Sequence, residues 1–282
     1  MRNTTILAVA GGIVVTLLFI FGRTSELKNT STVSTEKKLK NSFNIQNLIT
    51  SAKQKLSPGE ELVLSKLENS IVRGDIPSQK HSSYTSLASF WKDSSRSFEL
   101  YAYYSGEAAK LDNSEKNLTF AAQLFLEALR AEEDEAKLNW ETSQAIELFE
   151  KAILLNPAND DLKIGLGSTY IFGKGRNGNP QETMKGVQQL LGVVRKDSNN
   201  MKAQLVLGIG GFLSGQYDKA IERLKKVVTT EPGNLEAIAF LADTYAAKGE
   251  KGEAVKWYNI SKRIANNPHY STEVNARLKQ LH

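Results

Sequence analysis

Between Arg2 and Arg23 lie twenty consecutive residues without a charge, Asn3 to Gly22, apolar from Ile6 to Phe21. At about 1.5 Å per residue such a helix reaches roughly 30 Å, the thickness of a bilayer's hydrocarbon. A transmembrane anchor over residues 1–23 is predicted. The competing reading is a cleaved signal peptide, which needs a small-x-small site directly after the apolar run; the run ends instead in Leu17, Leu18, Phe19, Ile20 and Phe21. Residues 24–44 are rich in Ser, Thr, Asn and Lys and hold too little apolar surface to order themselves, so a flexible basic tether is expected over 24–56. From Ser57-Pro58 onward the pattern turns helical. Ser57 caps, Pro58 sits in the first turn, and Leu62, Leu64, Leu67, Ile71 and Val72 form a stripe that Gly74 ends. Further helices are predicted near 80–93, 97–111 and, as one long element, 116–137. Period-two alternation is absent from the sequence, so the body is expected to be all-α.

Self-similarity then sharpens the picture. Ala220, Leu224, Val227 and Pro232 correspond to Ala254, Tyr258, Ser261 and Asn266 at a shift of 34 residues. The same series recurs upstream as Ala145, Phe149, Ala152 and Pro157, and as Gly186, Leu190, Val193 and Ser198. In the preceding helix of each unit, Leu166-Gly167 with Tyr170, Leu207-Gly208 with Gly211, and Leu241-Ala242 with Tyr245 stand in register. A period of this length marks stacked helix-turn-helix units that bury a core only against their neighbours.

These residues resemble the tetratricopeptide repeat (TPR) family. Its unit has large-small-x-x-aromatic in helix A, small-x-x-x-aromatic-x-x-small in helix B, and a proline near its end. Whole-chain likeness is to bacterial membrane-anchored TPR proteins. The resemblance implies an all-α, right-handed helical solenoid behind one N-terminal transmembrane helix. Units are expected at 118–159, 160–200 (with an inserted loop), 201–234 and 235–268, preceded by N-terminal helices over 57–117 and closed by a capping helix over 269–282. Two departures stand out: Ser198 and Asn266 replace the closing proline, and the second unit holds seven extra residues between its helices.

The resemblance also implies a concave groove lined by fixed positions of each helix A. Carried over, these are Asp161, Ile164, Ser168 and Ile171; Lys202, Leu205, Ile209 and Phe212; and Glu236, Ala239, Asp243 and Ala246. The family's clamp for acidic chaperone tails needs several Lys, Asn and Arg residues here, and only Lys202 is present. The expected role is that of a non-catalytic scaffold holding a partner peptide or helix in the groove. The alternative is an assembly subunit, a homo-oligomer formed through the same apolar face.

Charge changes the picture in one respect. The formal +5 comes from Arg2 and from residues 23–60, where seven basic residues face three acidic ones; residues 61–282 hold 28 of each sign. Excess positive charge beside the anchor suits anionic lipid headgroups. A nucleic-acid surface would instead carry its basic stripe on the folded face, and specific nucleic-acid binding is not expected. Charges flanking the anchor nearly balance, leaning towards a cytoplasmic body. The single-anchor bacterial plan favours a body facing the periplasm from the inner membrane, and that is the expectation.

Candidate chemistry is sparse. There are no cysteines, and His81, His269 and His282 lie far apart, so no cofactor, metal or catalytic residue is expected. Gly173-Lys174-Gly175-Arg176-Asn177-Gly178 spells G-x-G-x-x-G, but a helix rather than a strand precedes it, so turn chemistry is the better reading. Lys174 and Arg176 remain candidates for holding an anion or an acidic partner. The run Glu132-Glu133-Asp134-Glu135 is expected as a solvated helix face, and Gly210 has no packing role that the repeat pattern supplies.

Overall fold

The computed structural model describes residues 43–281 apart from 74–75, 94–96 and 177–178. The anchor expected over 1–23 lies outside the described residues; among those described, no helix is long and apolar enough to cross a membrane.

Thirteen helices follow one another among the described residues: α1 (Ile45–Lys53), α2 (Pro58–Arg73), α3 (Pro77–Asp93), α4 (Phe98–Asp112), α5 (Glu115–Ala131), α6 (Glu135–Leu155), α7 (Asp160–Phe172), α8 (Pro180–Lys196), α9 (Met201–Leu213), α10 (Tyr217–Thr230), α11 (Leu235–Lys248), α12 (Lys251–Ala265) and α13 (Pro268–Gln280). They pack as consecutive hairpins, α3 with α4, α5 with α6, α7 with α8, α9 with α10 and α11 with α12, while α13 covers α12. The first helices of successive pairs, α5, α7, α9 and α11, also touch in sequence and form one layer.

The unit boundaries have a repeated chemistry. The amides of Asn156, Asp197, Glu231 and Asn266 close the preceding helix onto the carbonyls of Ala152, Val193, Val227 and Lys262. A short turn later, the side chains of Asn159, Asn200, Asn234 and Asn267 accept a hydrogen bond from the first turn of α7, α9, α11 and α13. Asparagine there satisfies an otherwise orphaned helix N–H. Pro180 and Pro268 begin α8 and α13, where the missing N–H costs nothing.

Glycines set how closely the paired helices approach. A Cβ on Gly167 would lie 2.8 Å from Leu190 Cγ and 3.0 Å from the Gly186 carbonyl, so α7 and α8 touch backbone to backbone. Gly210 also has a packing role: a Cβ there would meet Ile171 Cδ1 at 2.9 Å, so it receives Ile171 from α7 on the inner layer. Apolar side chains form three clusters, one under α1 to α4, one from α4 to α9 and one from α9 to α13. Half-buried Leu205 and Phe240 pack against both of the last two and join them.

Two expectations change. The element expected over 116–137 is broken: α5 stops at Ala131, the Glu132 carboxylate accepts from the amides of Glu133 (2.9 Å) and Asp134 (2.8 Å), and Asp134 caps α6 through the Lys137 amide at 2.7 Å. Glu132, Glu133 and Asp134 are thus the turn between two helices and Glu135 opens α6, so the run is not a helix face. The tether expected over 24–56 also includes an ordered element, because α1 buries Ile49 and Ala52 against Leu64, Leu87 and Trp91. Just before it, the Phe43 ring rests 4.8 Å from that of Trp140 in α6.

Candidate partner-binding groove

The groove residues were expected on α7, α9 and α11 of the inner layer. Their helical spacing places the carried-over positions on the side of each helix that faces its neighbours in the layer. Gly210 lets α7 and α9 close on one another, with Ile171 held between them. Ile171 and Ile209 are fully buried, Ile164 is 7% exposed and Ser168 5%, with the Ser168 hydroxyl donating to the Ile164 carbonyl at 2.7 Å. These four belong to the core in this structure; none of them forms an open groove wall.

What remains accessible is a polar and aromatic rim. Lys202 Nζ reaches Asp161 Oδ1 at 3.2 Å across α7 and α9, and both side chains are about two-thirds or more exposed (74% and 66%). Arg130, at the end of α5, pairs with Glu236 at the start of α11 and lays its guanidinium over the Phe172 ring at 4.5 Å. This pair ties the first helix of the layer to the fourth. Half-buried Phe212 meets Phe240 edge-on at 5.8 Å and Tyr217 at 6.4 Å, and half-buried Leu205 lies two turns away on α9.

Asp243 is occupied from the other side. Its Oδ1 accepts from Tyr258 Oη at 2.6 Å and from Arg277 Nη1 at 2.5 Å, so it fastens α13 to the last hairpin. Burial and the hydrogen bond to Asp243 push the Tyr258 hydroxyl well above the usual phenol range. The accessible part of the predicted set is therefore Asp161, Lys202, Leu205, Phe212 and Glu236, with Ala239 and Ala246 half-buried beside them.

Of the glycine-rich loop, Gly173 and Gly175 are packed and not open, and residues 177–178 lie outside the described residues. Gly173 faces Thr142, and a Cβ on Gly175 would lie 2.6 Å from Thr183 Oγ1 and 3.0 Å from two carbonyls, Tyr170 and Ile171. Arg176 donates to the Glu132 carbonyl at 2.9 Å and lines a depression with Glu132, Glu133 and Glu135. Those carboxylates oppose an anionic ligand at Arg176, while Lys174 is half-buried beside it. No cluster of three or more His, Asp or Glu side chains suited to a metal occurs among the described residues.

Sequence reasoning missed Arg130 and Phe240. Arg130 reaches the rim only because α5 ends at Ala131, and a helix read as continuing to 137 hides that end. Phe240 stands one turn after Glu236 on α11, and its size was the only available signal.

A tetratricopeptide repeat family model matches residues 212–272, from the end of α9 into α13. Two solved structures are similar in fold. One is a tetratricopeptide repeat protein from Parabacteroides merdae, 16% identical, with 84% of this chain and 91% of that one covered and a TM-score of 0.51. The other is a thermophilic TPR protein from Thermus thermophilus, 17% identical, with 71% and 98% covered and a TM-score of 0.53. No curated protein matches the chain. The repeat match and these likenesses establish a TPR-like helical solenoid as the architecture.

Proposed function

We propose that this chain is a non-catalytic scaffold, anchored in a bacterial inner membrane by Asn3–Gly22, whose helical body holds a partner protein against the rim of its inner layer. The observation that carries the reading is the aromatic and charged rim of Leu205, Phe212, Lys202 and Glu236, left accessible on a TPR-like layer whose deeper positions are filled. Such a surface pairs an apolar anchor with flanking charges of both signs, which suits an amphipathic helix or peptide laid across it. The basic tether supports a place beside anionic lipid, and the body faces the periplasm in this proposal.

A photo-crosslinking residue at Phe212 in the full chain, in its native cells, tests the site. Covalent capture of one heterologous protein is expected, lost in a Lys202→Glu, Leu205→Glu variant that still folds. Capture of another copy of this chain instead would assign the rim to self-assembly, and unchanged capture by the variant would remove these residues from the interface.

A further inference from the structure

The repeat register exposes a second surface, on the opposite side of the hairpins from the inner layer. In two units the aromatic position of helix A is filled: Tyr170 is 9% exposed and Tyr245 3%. Each ring carries a lysine over its face, Lys185 Nζ at 5.6 Å from Tyr170 and Lys225 Nζ at 5.6 Å from Tyr245. In the unit between them the same position is Gly211, and no ring is present there. The space between α8 and α10 is left as an open notch of about 460 Å³ over Gly211.

Its apolar wall is Met184, Val187 and Leu191 from α8 and Leu207 from α9. Lys219 and Arg223 of α10 supply its cations beside the neutral Pro180, Thr183, Ser214 and Gln216, and the lining contains no carboxylate. Lys219 is the register equivalent of Lys185, since Gly186 corresponds to Ala220, so the cation that covers a tyrosine in the preceding unit is retained here without its ring. Both cations spend donors on neutral amides: Lys219 on Gln216 Oε1 at 3.0 Å and Arg223 on Gln204 Oε1 at 2.7 Å. Met184 is half exposed at the mouth, an apolar side chain facing water.

We propose that this notch is a docking site for a protein partner bearing an aromatic side chain flanked by carboxylates. The partner's ring takes the volume that Tyr170 fills in the preceding unit, beneath Lys219 as that ring lies beneath Lys185. Its carboxylates exchange the neutral amide contacts of Lys219 and Arg223 for charge-assisted ones, which are shorter and stronger. The aromatic residue supplies most of the buried apolar area and the acidic neighbours set the orientation. This site does not depend on the inner-layer rim.

The test is fluorescence anisotropy of the full chain, solubilised in a mild non-ionic detergent, with a fluorescein-labelled peptide in which one tyrosine sits between pairs of acidic residues. Saturable binding is expected, weakened about tenfold or more when the peptide's tyrosine becomes alanine or its acids become amides. Gly211→Tyr supplies the ring internally and should weaken binding to the same extent. Met184→Glu changes an exposed residue and should do likewise if Gly211→Tyr fails to fold. Lys202→Glu on the rim should leave the affinity unchanged. Absence of saturable binding by the unaltered chain, or binding that Met184→Glu and Lys219→Glu both leave intact, overturns the proposal. A chain that is dimeric before peptide is added and monomeric as Met184→Glu assigns the notch to a second copy, and overturns it too.

Discussion

Glu141 is the residue whose environment departs furthest from what a surface helix offers. Its side chain is 1% exposed, both carboxylate oxygens lack a hydrogen-bond partner, and the nearest cation, Lys137 Nζ, stands 4.0 Å away. Burial pushes its pKa up to about 8; Lys137 opposes the rise, and Glu132 and Glu99 add to it. Lys137 is itself committed elsewhere, at 2.5 Å from Glu99 and 2.7 Å from Glu132. The sign follows from proton counts. With its folded pKa raised above the ordinary value, Glu141 keeps its proton in the folded chain over a range where the unfolded chain has lost it. Its contribution to stability is present below about pH 4.5 and is lost as pH rises towards about 8. Glu141→Gln should flatten this part of the profile and raise the melting temperature at pH 8 more than at pH 5. A parallel shift at both pH values would remove Glu141 as the titrating group. The sequence shows only a glutamate in a helical stretch, because its burial depends on which hairpin packs over it.

At the scale of elements, helix pairing was legible where small residues recur in register and illegible where a break depends on local hydrogen bonding. Residues 132–134 hold no proline or glycine, so the helical pattern runs through them; the break follows from Glu132 and Asp134 binding backbone amides. Helix α1 was hidden for another reason: its nine residues are too few to stand alone, and the partner surface for Ile49 and Ala52 comes from α2 and α3. Two glycines separate packing from propensity. Gly167→Ala drives a methyl group into Leu190 and the Gly186 carbonyl, and a loss of about 1–3 kcal/mol is expected. Gly192→Ala, within α8 and with nothing inside 4 Å of the new methyl group, should gain about 0.5–1 kcal/mol. Chemical denaturation of the two variants checks both signs. A stabilising Gly167→Ala would mean that α7 and α8 do not approach as closely as described.

At the scale of the whole molecule, the proposal joins a membrane segment to a TPR-like body. Its consequence is that the full chain remains in the membrane fraction after a high-pH carbonate wash. Ile13→Arg with Val14→Arg, at the middle of the uncharged run, should release it, because a charge at that depth costs about 2.5 kcal/mol or more. Release of the unaltered chain by the same wash would sink the anchor. By itself the sequence determined the all-α class and the period of the repeat, because those rest on local spacing and on small residues that must recur wherever two helices touch. The tertiary structure alone decided which expected groove residues are accessible. Ile164 and Ile171 occupy the same helical register as Leu205 and Phe212, and the distance between neighbouring first helices separates core from surface. That distance is set by Gly210 receiving Ile171 and by Arg130 meeting Glu236, contacts between residues 39 and 106 positions apart. Local pattern carries no record of such pairings, since each is fixed by how the hairpins stack.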